Sequence, residues 1–376
     1  MNLLRGRFQA AVVSMTLASL SVAGEPPKDA ANSNGALARP LYDIHAAREL
    51  DGLSMHRPYQ RGKVPVVLIH GLWGFPHQWD PVVHDLEADP LLRGRYQFWT
   101  FSYASGDPIP FSAHLPRQSL RRARRTFDPD GTDPAFDRMV VVGHSLGGIL
   151  AKMMAQDSNT RLWQTVSSRS VDRIAGRPAD CLLFRQAFCY EIVPEVRRLI
   201  FIATPHRGTP IVRGVVRDLG MRICDRASRC RAARETLLSQ NEPDFFLPSF
   251  RGEDATSVST LAWGHPLLMA LCDLGIDPSI PFHSIIADLR DPPAPDASDG
   301  IVPYSSSHLE CADSEVLFHG HHICLNDPAV IHEVRRILID HAGIDRTSRT
   351  DRSNPGRDGL QSARRKNDQA PIGFVS

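Results

Sequence analysis

The run Met139-Val140-Val141-Val142-Gly143-His144-Ser145-Leu146-Gly147-Gly148 constrains the fold more than any other stretch of this chain. Four apolar residues lead into a Gly-x-Ser-x-Gly turn, and Ile149, Leu150, Met153 and Met154 follow at helical spacing. A strand, a sharp turn and a helix in that order lift a serine hydroxyl above the end of the strand. The glycines are required because a Cβ at either position would hold the flanking backbones apart. A helix N-terminus beneath the turn favours developing negative charge. There is no Gly-x-Gly in the sequence, and neither Lys-Ser nor Lys-Thr follows Gly148, so both glycine-rich phosphate loops are excluded.

The scaffold around this turn alternates. Runs rich in β-branched residues occur at Val64 to His70, Phe98 to Tyr103, Met139 to Gly143, Val196 to Thr204, Phe282 to Asp288 and Glu315 to Phe318. Several are apolar throughout, as strands covered on both faces require. Ser145 to Gln156 and Pro328 to His341 read as helices, the latter with Val330, Ile331, Val334, Ile337 and Leu338 on one face. Strands alternating with helices predict an α/β fold, a mostly parallel central sheet flanked by helices. Two gaps are too long for ordinary connections and are read as cap or lid insertions, about 157–195 and 206–281. The second holds Pro243, Phe245, Phe246, Leu247, Pro248 and Phe250, an apolar cluster that either shelters a pocket or simply packs.

The ends set the domain plan. Arg5 and Arg7, the apolar run Ala10 to Leu20 and the small residues of Ser21-Val22-Ala23 outline a signal peptide at 1–24. The run is shorter than the roughly 20 residues that span a bilayer. An uncleaved anchor or a miscalled start codon is the alternative. Export would place the protein in the periplasm or outside the cell. An N-terminal extension (25–61), the α/β domain (62–342) and a disordered tail (343–376) follow, the tail having almost nothing to bury. In an exported chain the close pairs Cys181/Cys189 and Cys224/Cys230 are candidate disulfides, with one of seven cysteines left over. The 43 basic and 42 acidic residues balance to +1, so there is no electrostatic case for a nucleic-acid partner.

A serine hydroxyl needs a base, an orienting acid and oxyanion donors before it is a useful nucleophile. Val66-Val67-Leu68-Ile69-His70-Gly71-Leu72 is a strand running into His-Gly, which assigns the oxyanion hole to the amides of Leu72 and Leu146. His70 and His144 read as structural, holding the turns by hydrogen bonds. Ser298-Asp299-Gly300-Ile301-Val302-Pro303 sets Asp299 in a tight loop after a strand, a context that Asp288, Asp291 and Asp296 lack. Phe318-His319-Gly320-His321-His322 comes after the final strand and before the closing helix. Its histidines could be metal ligands, yet no carboxylate motif sits nearby. The order Ser, Asp, His is that of a hydrolase triad.

These residues resemble the α/β-hydrolase superfamily, and within it the bacterial serine esterases and lipases similar to the PGAP1-like (GPI inositol-deacylase-like) proteins. The resemblance spans about 62–341. It rests on Pro65 to Trp73, Gly143 to Gly148, Phe201-Ile202-Ala203-Thr204-Pro205-His206-Arg207-Gly208, Ser298 to Pro303 and Glu333 to Leu338. It implies Ser145 as nucleophile, Asp299 as acid and the histidine after the last strand as base. The family pattern of Gly-His and then a small residue favours His321, with His322, the departure from that pattern, as the alternative base. Hydrolysis of a small-molecule or lipid carboxylic ester through an acyl-enzyme is the implied activity, with transient contact at a lipid interface, no cofactor and no protein partner. Acyl transfer, thioester hydrolysis or amide hydrolysis would use the same triad, and a non-catalytic binding protein on the same fold is the remaining alternative.

Overall fold

The computed structural model describes residues 52–210, 229–252, 256–294 and 297–343. The expected signal peptide, most of the extension 25–61, part of the second insertion, Asp296, Cys224 and all but the first residue of the tail lie outside the described residues.

Among the described residues seven strands form one sheet: β1 (Leu53–Met55), β2 (Val64–Ile69), β3 (Tyr96–Phe101), β4 (Met139–His144), β5 (Val196–Ile202), β6 (Phe282–Asp288) and β7 (Ser314–His319), in the order β1-β3-β2-β4-β5-β6-β7. Every neighbouring pair is parallel except β1 with β3. The helices of six residues or more among the described residues are α1 (Asp80–Ala88), α2 (Pro90–Arg95), α3 (Ile109–Phe127), α4 (Leu146–Lys152), α5 (Pro178–Phe188), α6 (Arg229–Gln240), α7 (Pro266–Asp273) and α8 (Pro328–His341).

Strand periodicity divides the apolar residues between two cores. Val66, Leu68, Val140, Val142, Ile200 and Ile202 face one side of the sheet, where α1 contributes Val82 and Leu86 and α8 contributes Val330, Val334, Ile337 and Leu338. Val67, Ile69, Val141, Leu199 and Phe201 face the other, against Leu120 and Ala123 of α3 and Ile149 and Leu150 of α4. All the β2 and β4 side chains are buried, which is why those runs carry no polar alternation. Each such Val, Leu or Ile contributes about 1.5–3 kcal/mol by leaving water. The start of α8 is fixed by Asp327, whose carboxylate accepts from the Ala329 amide at 2.8 Å ahead of Pro328.

The aromatic run of the second long connection packs rather than lining an opening. Phe245, Phe246 and Phe250 are buried against Trp163, Phe184 and Phe188 of the first, with ring centroids 6.2 to 6.4 Å apart around Trp163 and 5.9 Å between Phe184 and Phe250. Leu247 N–H donates to the Val166 carbonyl at 2.8 Å, and Ser167 Oγ donates to the Phe245 carbonyl at 2.6 Å. Cys181 and Cys189 are both free thiols, contrary to the pairing considered above. Cys181 lies within α5 and Cys189 caps its end, so the helix rise puts them about 12 Å apart, beyond any disulfide.

Candidate active site

Ser145 sits between β4 and α4 with φ 53° and ψ −123°, in a backbone region that non-glycine residues rarely occupy. The surroundings hold it there. Ser145 N–H donates to the Ile202 carbonyl of β5 at 2.9 Å, and the Gly148 amide donates back to the Ser145 carbonyl at 3.0 Å. A Cβ on Gly143 would strike the Gly147 carbonyl, and one on Gly147 would strike that of Ile69, so the first glycine is not replaceable without moving α4, nor the second without moving β2.

Above the turn, His322 Nε2 lies 2.9 Å from Ser145 Oγ, and His322 Nδ1 lies 2.7 Å from Asp299 Oδ2. All three residues are buried. Asp299 is fixed from behind, since its Oδ1 accepts from the amides of Ile301 at 2.8 Å and Val302 at 2.6 Å. Those two bonds leave Oδ2 to the imidazole. The neighbouring carboxylate Asp288 is occupied elsewhere, accepting from the amides of Arg290 and Ala294.

The geometry reverses the order of preference between the two histidines. His321 is exposed, and the imidazole facing Ser145 belongs to His322. The cause lies in where β7 stops. Gly320 N–H donates to the Asp288 carbonyl at 2.8 Å, carrying the β6–β7 ladder one residue past His319, and the next anchored amide is that of His322, on the Asp299 carbonyl at 3.1 Å. The residue between them turns outward. His319 lies at the strand end with Nδ1 3.0 Å from the Arg290 carbonyl.

Two further histidines brace the turns. His144 donates from Nε2 to the main-chain carbonyl of His322 at 2.8 Å, and burial drives its pKa down to about 4, so it stays neutral. His70 has its Nδ1 2.9 Å from the Gly71 carbonyl and stacks on Tyr103 at 4.5 Å, and burial also takes its pKa to about 4. Tyr103 OH donates to the His70 carbonyl at 2.9 Å, while Trp73 N–H donates to Ser105 Oγ at 2.8 Å. Tyr103 and Ser105 therefore hold the loop that carries Leu72. Nothing in the sequence marks them, because each meets that loop from more than thirty positions away. The loop comes so close to the nucleophile that a Cβ on Gly71 would lie 2.9 Å from Ser145 Cβ. Among the described residues, no group of three His, Cys, Asp or Glu side chains is arranged to hold a metal ion.

A serine raised on a strained turn above the middle of a parallel sheet is the arrangement on which the alpha/beta hydrolases are built. The family model described as the Alpha/beta hydrolase family matches residues 66–351, and the chain belongs to that family. Among solved structures it is similar to the mature form of Bacillus licheniformis lipase BlEst2, with 14% identity and a TM-score of 0.43 over 76% of this chain and 97% of that one. It is also similar to an inhibited esterase B from Lactobacillus rhamnosis, with 14% identity and a TM-score of 0.43 over 90% of this chain and 96% of that one. A lipase-esterase related protein from Clostridium acetobutylicum aligns with 11% identity and a TM-score of 0.38 over 72% and 93%. These likenesses are too distant to assign a substrate. No curated protein matches the sequence.

Proposed function

We propose that this hydrolase is a serine carboxylic-ester hydrolase working through an acyl-enzyme, with Ser145 as nucleophile, His322 as general base and Asp299 as the orienting acid. The observation that carries the reading is the unbroken pair of hydrogen bonds from Ser145 Oγ to His322 to Asp299, 2.9 and 2.7 Å long. His322 Nε2 takes the hydroxyl proton as Oγ attacks the ester carbonyl carbon. The tetrahedral oxyanion is received by the Leu72 and Leu146 amides, the second at the N-terminus of α4. Protonated His322 then passes its proton to the leaving alkoxide, and water repeats the sequence on the acyl-enzyme to release acid and restore Ser145. Asp299 keeps the Nδ1–H tautomer and steadies the transient imidazolium.

The substrate class we assign is a small-molecule or lipid ester, reached after export to the periplasm or the outside. The closer kinship to PGAP1-like deacylases rests on the sequence blocks alone. A fluorophosphonate probe should label Ser145, and p-nitrophenyl esters graded by acyl length should be hydrolysed by the wild type and not by Ser145→Ala. A folded protein that neither reacts with the probe nor cleaves any ester would refute the enzyme reading and leave a binding protein. Hydrolysis of thioesters or amides in preference to esters would keep the triad and change the substrate.

A further inference from the structure

Lys152 ends α4, the helix that begins beneath Ser145, and its side chain runs into the protein rather than out of it: the residue is 3% exposed. Its Nζ has one hydrogen-bond partner among the described residues, Cys272 Sγ on α7 at 3.7 Å, and no carboxylate reaches it. A buried ammonium without a counter-ion is costly. Burial lowers the pKa of Lys152, Cys272 opposes it through its charge and its hydrogen bond, and the smaller effects of Arg207 and Asp273 lower and raise it in turn. Cys272 is only partly covered, and its sulfur donates to the His206 carbonyl at 3.2 Å, so the sulfur lone pairs are left for Nζ. A lysine nitrogen and the sulfur of a half-buried thiol thus face each other across a contact that the triad does not use.

We propose that Lys152 and Cys272 form a redox modification site at which a peroxide-class oxidant joins the side chains through one bridging oxygen, Nζ–O–Sγ. The first peroxide oxidises sulfur by two electrons: an S–O bond forms, the O–O bond breaks, and sulfenic acid and one water result. A second peroxide oxidises the amine by two electrons to the hydroxylamine, again releasing water. The hydroxylamine oxygen then attacks the sulfenic sulfur, whose hydroxyl leaves as the third water. Two equivalents of dithiol return the four electrons and regenerate amine, thiol and water. An oxygen bridge suits the spacing better than a direct S–N bond, because it needs less approach of α4 and α7.

The link would close a loop between residues 120 positions apart, and constraining so long a loop in the unfolded chain raises the melting temperature, here by roughly several degrees.

The test uses the full chain treated with dilute hydrogen peroxide, alkylated, and digested without reductant. The expected product is a linked peptide pair containing Lys152 and Cys272, about 14 Da heavier than the sum of the two peptides, and lost on adding dithiothreitol together with the gain in melting temperature. Cys272→Ser should abolish both effects, whereas Cys311→Ser, which alters an exposed thiol, should keep both. Lys152→Met should leave Cys272 oxidised but unlinked, and if that variant does not fold, Cys272→Ser alone decides the outcome. Oxidation that halts at sulfenic or sulfinic acid with Lys152 unlinked overturns the proposal. A pair about 2 Da lighter, meaning a direct S–N bond, overturns the oxygen bridge.

Discussion

His144 donates from Nε2 to the main-chain carbonyl of His322 at 2.8 Å, so the residue just before the nucleophile supports the backbone of the residue whose imidazole meets that nucleophile. The two rings lie 5.2 Å apart. Position at Ser145 and position at His322 are therefore set by one rigid turn. Replacing His144 by Ala removes one buried hydrogen bond, worth about 1–3 kcal/mol where the partner is left unsatisfied. We expect kcat on a p-nitrophenyl ester to fall about tenfold or more with KM little changed. Equal kcat in a folded His144→Ala protein would show that the contact does not position His322.

Ser145→Ala should lower kcat on the order of 10⁴ to 10⁶ and leave the fold intact. Ser145→Gly should be equally inactive yet melt higher than Ser145→Ala, because glycine relieves a positive φ that costs of order 1 kcal/mol or more for other residues. Thermal denaturation of the pair checks this, and equal melting temperatures would mean that the turn carries no strain.

For the neighbouring histidines the expected result follows the geometry and not the family pattern. His322→Ala should be as damaging as Ser145→Ala, whereas His321→Ala, at an exposed site, should change kcat less than about tenfold. Asp299→Asn should cost up to about 10⁴ by selecting the wrong tautomer. The opposite ranking of the two histidines in a steady-state assay would remove His322 from the mechanism.

Acid sensitivity of the fold should come from buried neutral histidines, His70 and His144 at the site among them and a further pair elsewhere. At the far end of the sheet His283 Nε2 meets Arg198 at 2.5 Å, and Arg198 also donates to His341 Nδ1 at 3.1 Å. Burial first, and then the Arg198 charge, lower His283 to about 3, and burial lowers His341 to about 4. Unfolded histidines take up protons below about pH 6.5, while these two do so only near their depressed values. The unfolded chain therefore binds more protons as pH falls, and stability present above pH 6.5 is lost between there and about pH 4 for His341 and about pH 3 for His283. Each histidine contributes roughly 1 kcal/mol per pH unit within that window. Urea unfolding at pH 7.5 and 5.0 measures it, and His283→Gln should flatten the slope. An unchanged slope in that variant would exonerate His283.

How much of this was legible before the fold was known depended on how local each signal is. Val64–Ile69 and Met139–His144 stood out because both faces of those strands are covered and every position but His144 is apolar or glycine. Leu53–Met55 did not, since three residues at an antiparallel edge are too few to show a period. Ser145 was legible from its glycines and Asp299 from its turn, both being matters of adjacent backbone. Choosing between His321 and His322 required knowing that Gly320 still pairs with Asp288, a fact about another strand. Ser105, Tyr103 and the pairing of Lys152 with Cys272 were invisible for the same reason.

The aromatic packing of Trp163, Phe184 and Phe188 against Phe245, Phe246 and Phe250 joins two segments that the chain separates by β5. Neither can expose its rings to water without the other doing so. In hydrogen exchange, amides buried beneath the cluster, such as that of Leu247 on the Val166 carbonyl, should share one opening free energy with those of α5 instead of exchanging independently. Regions remote in sequence would then behave as a single cooperative unit, above a sheet that exchanges more slowly.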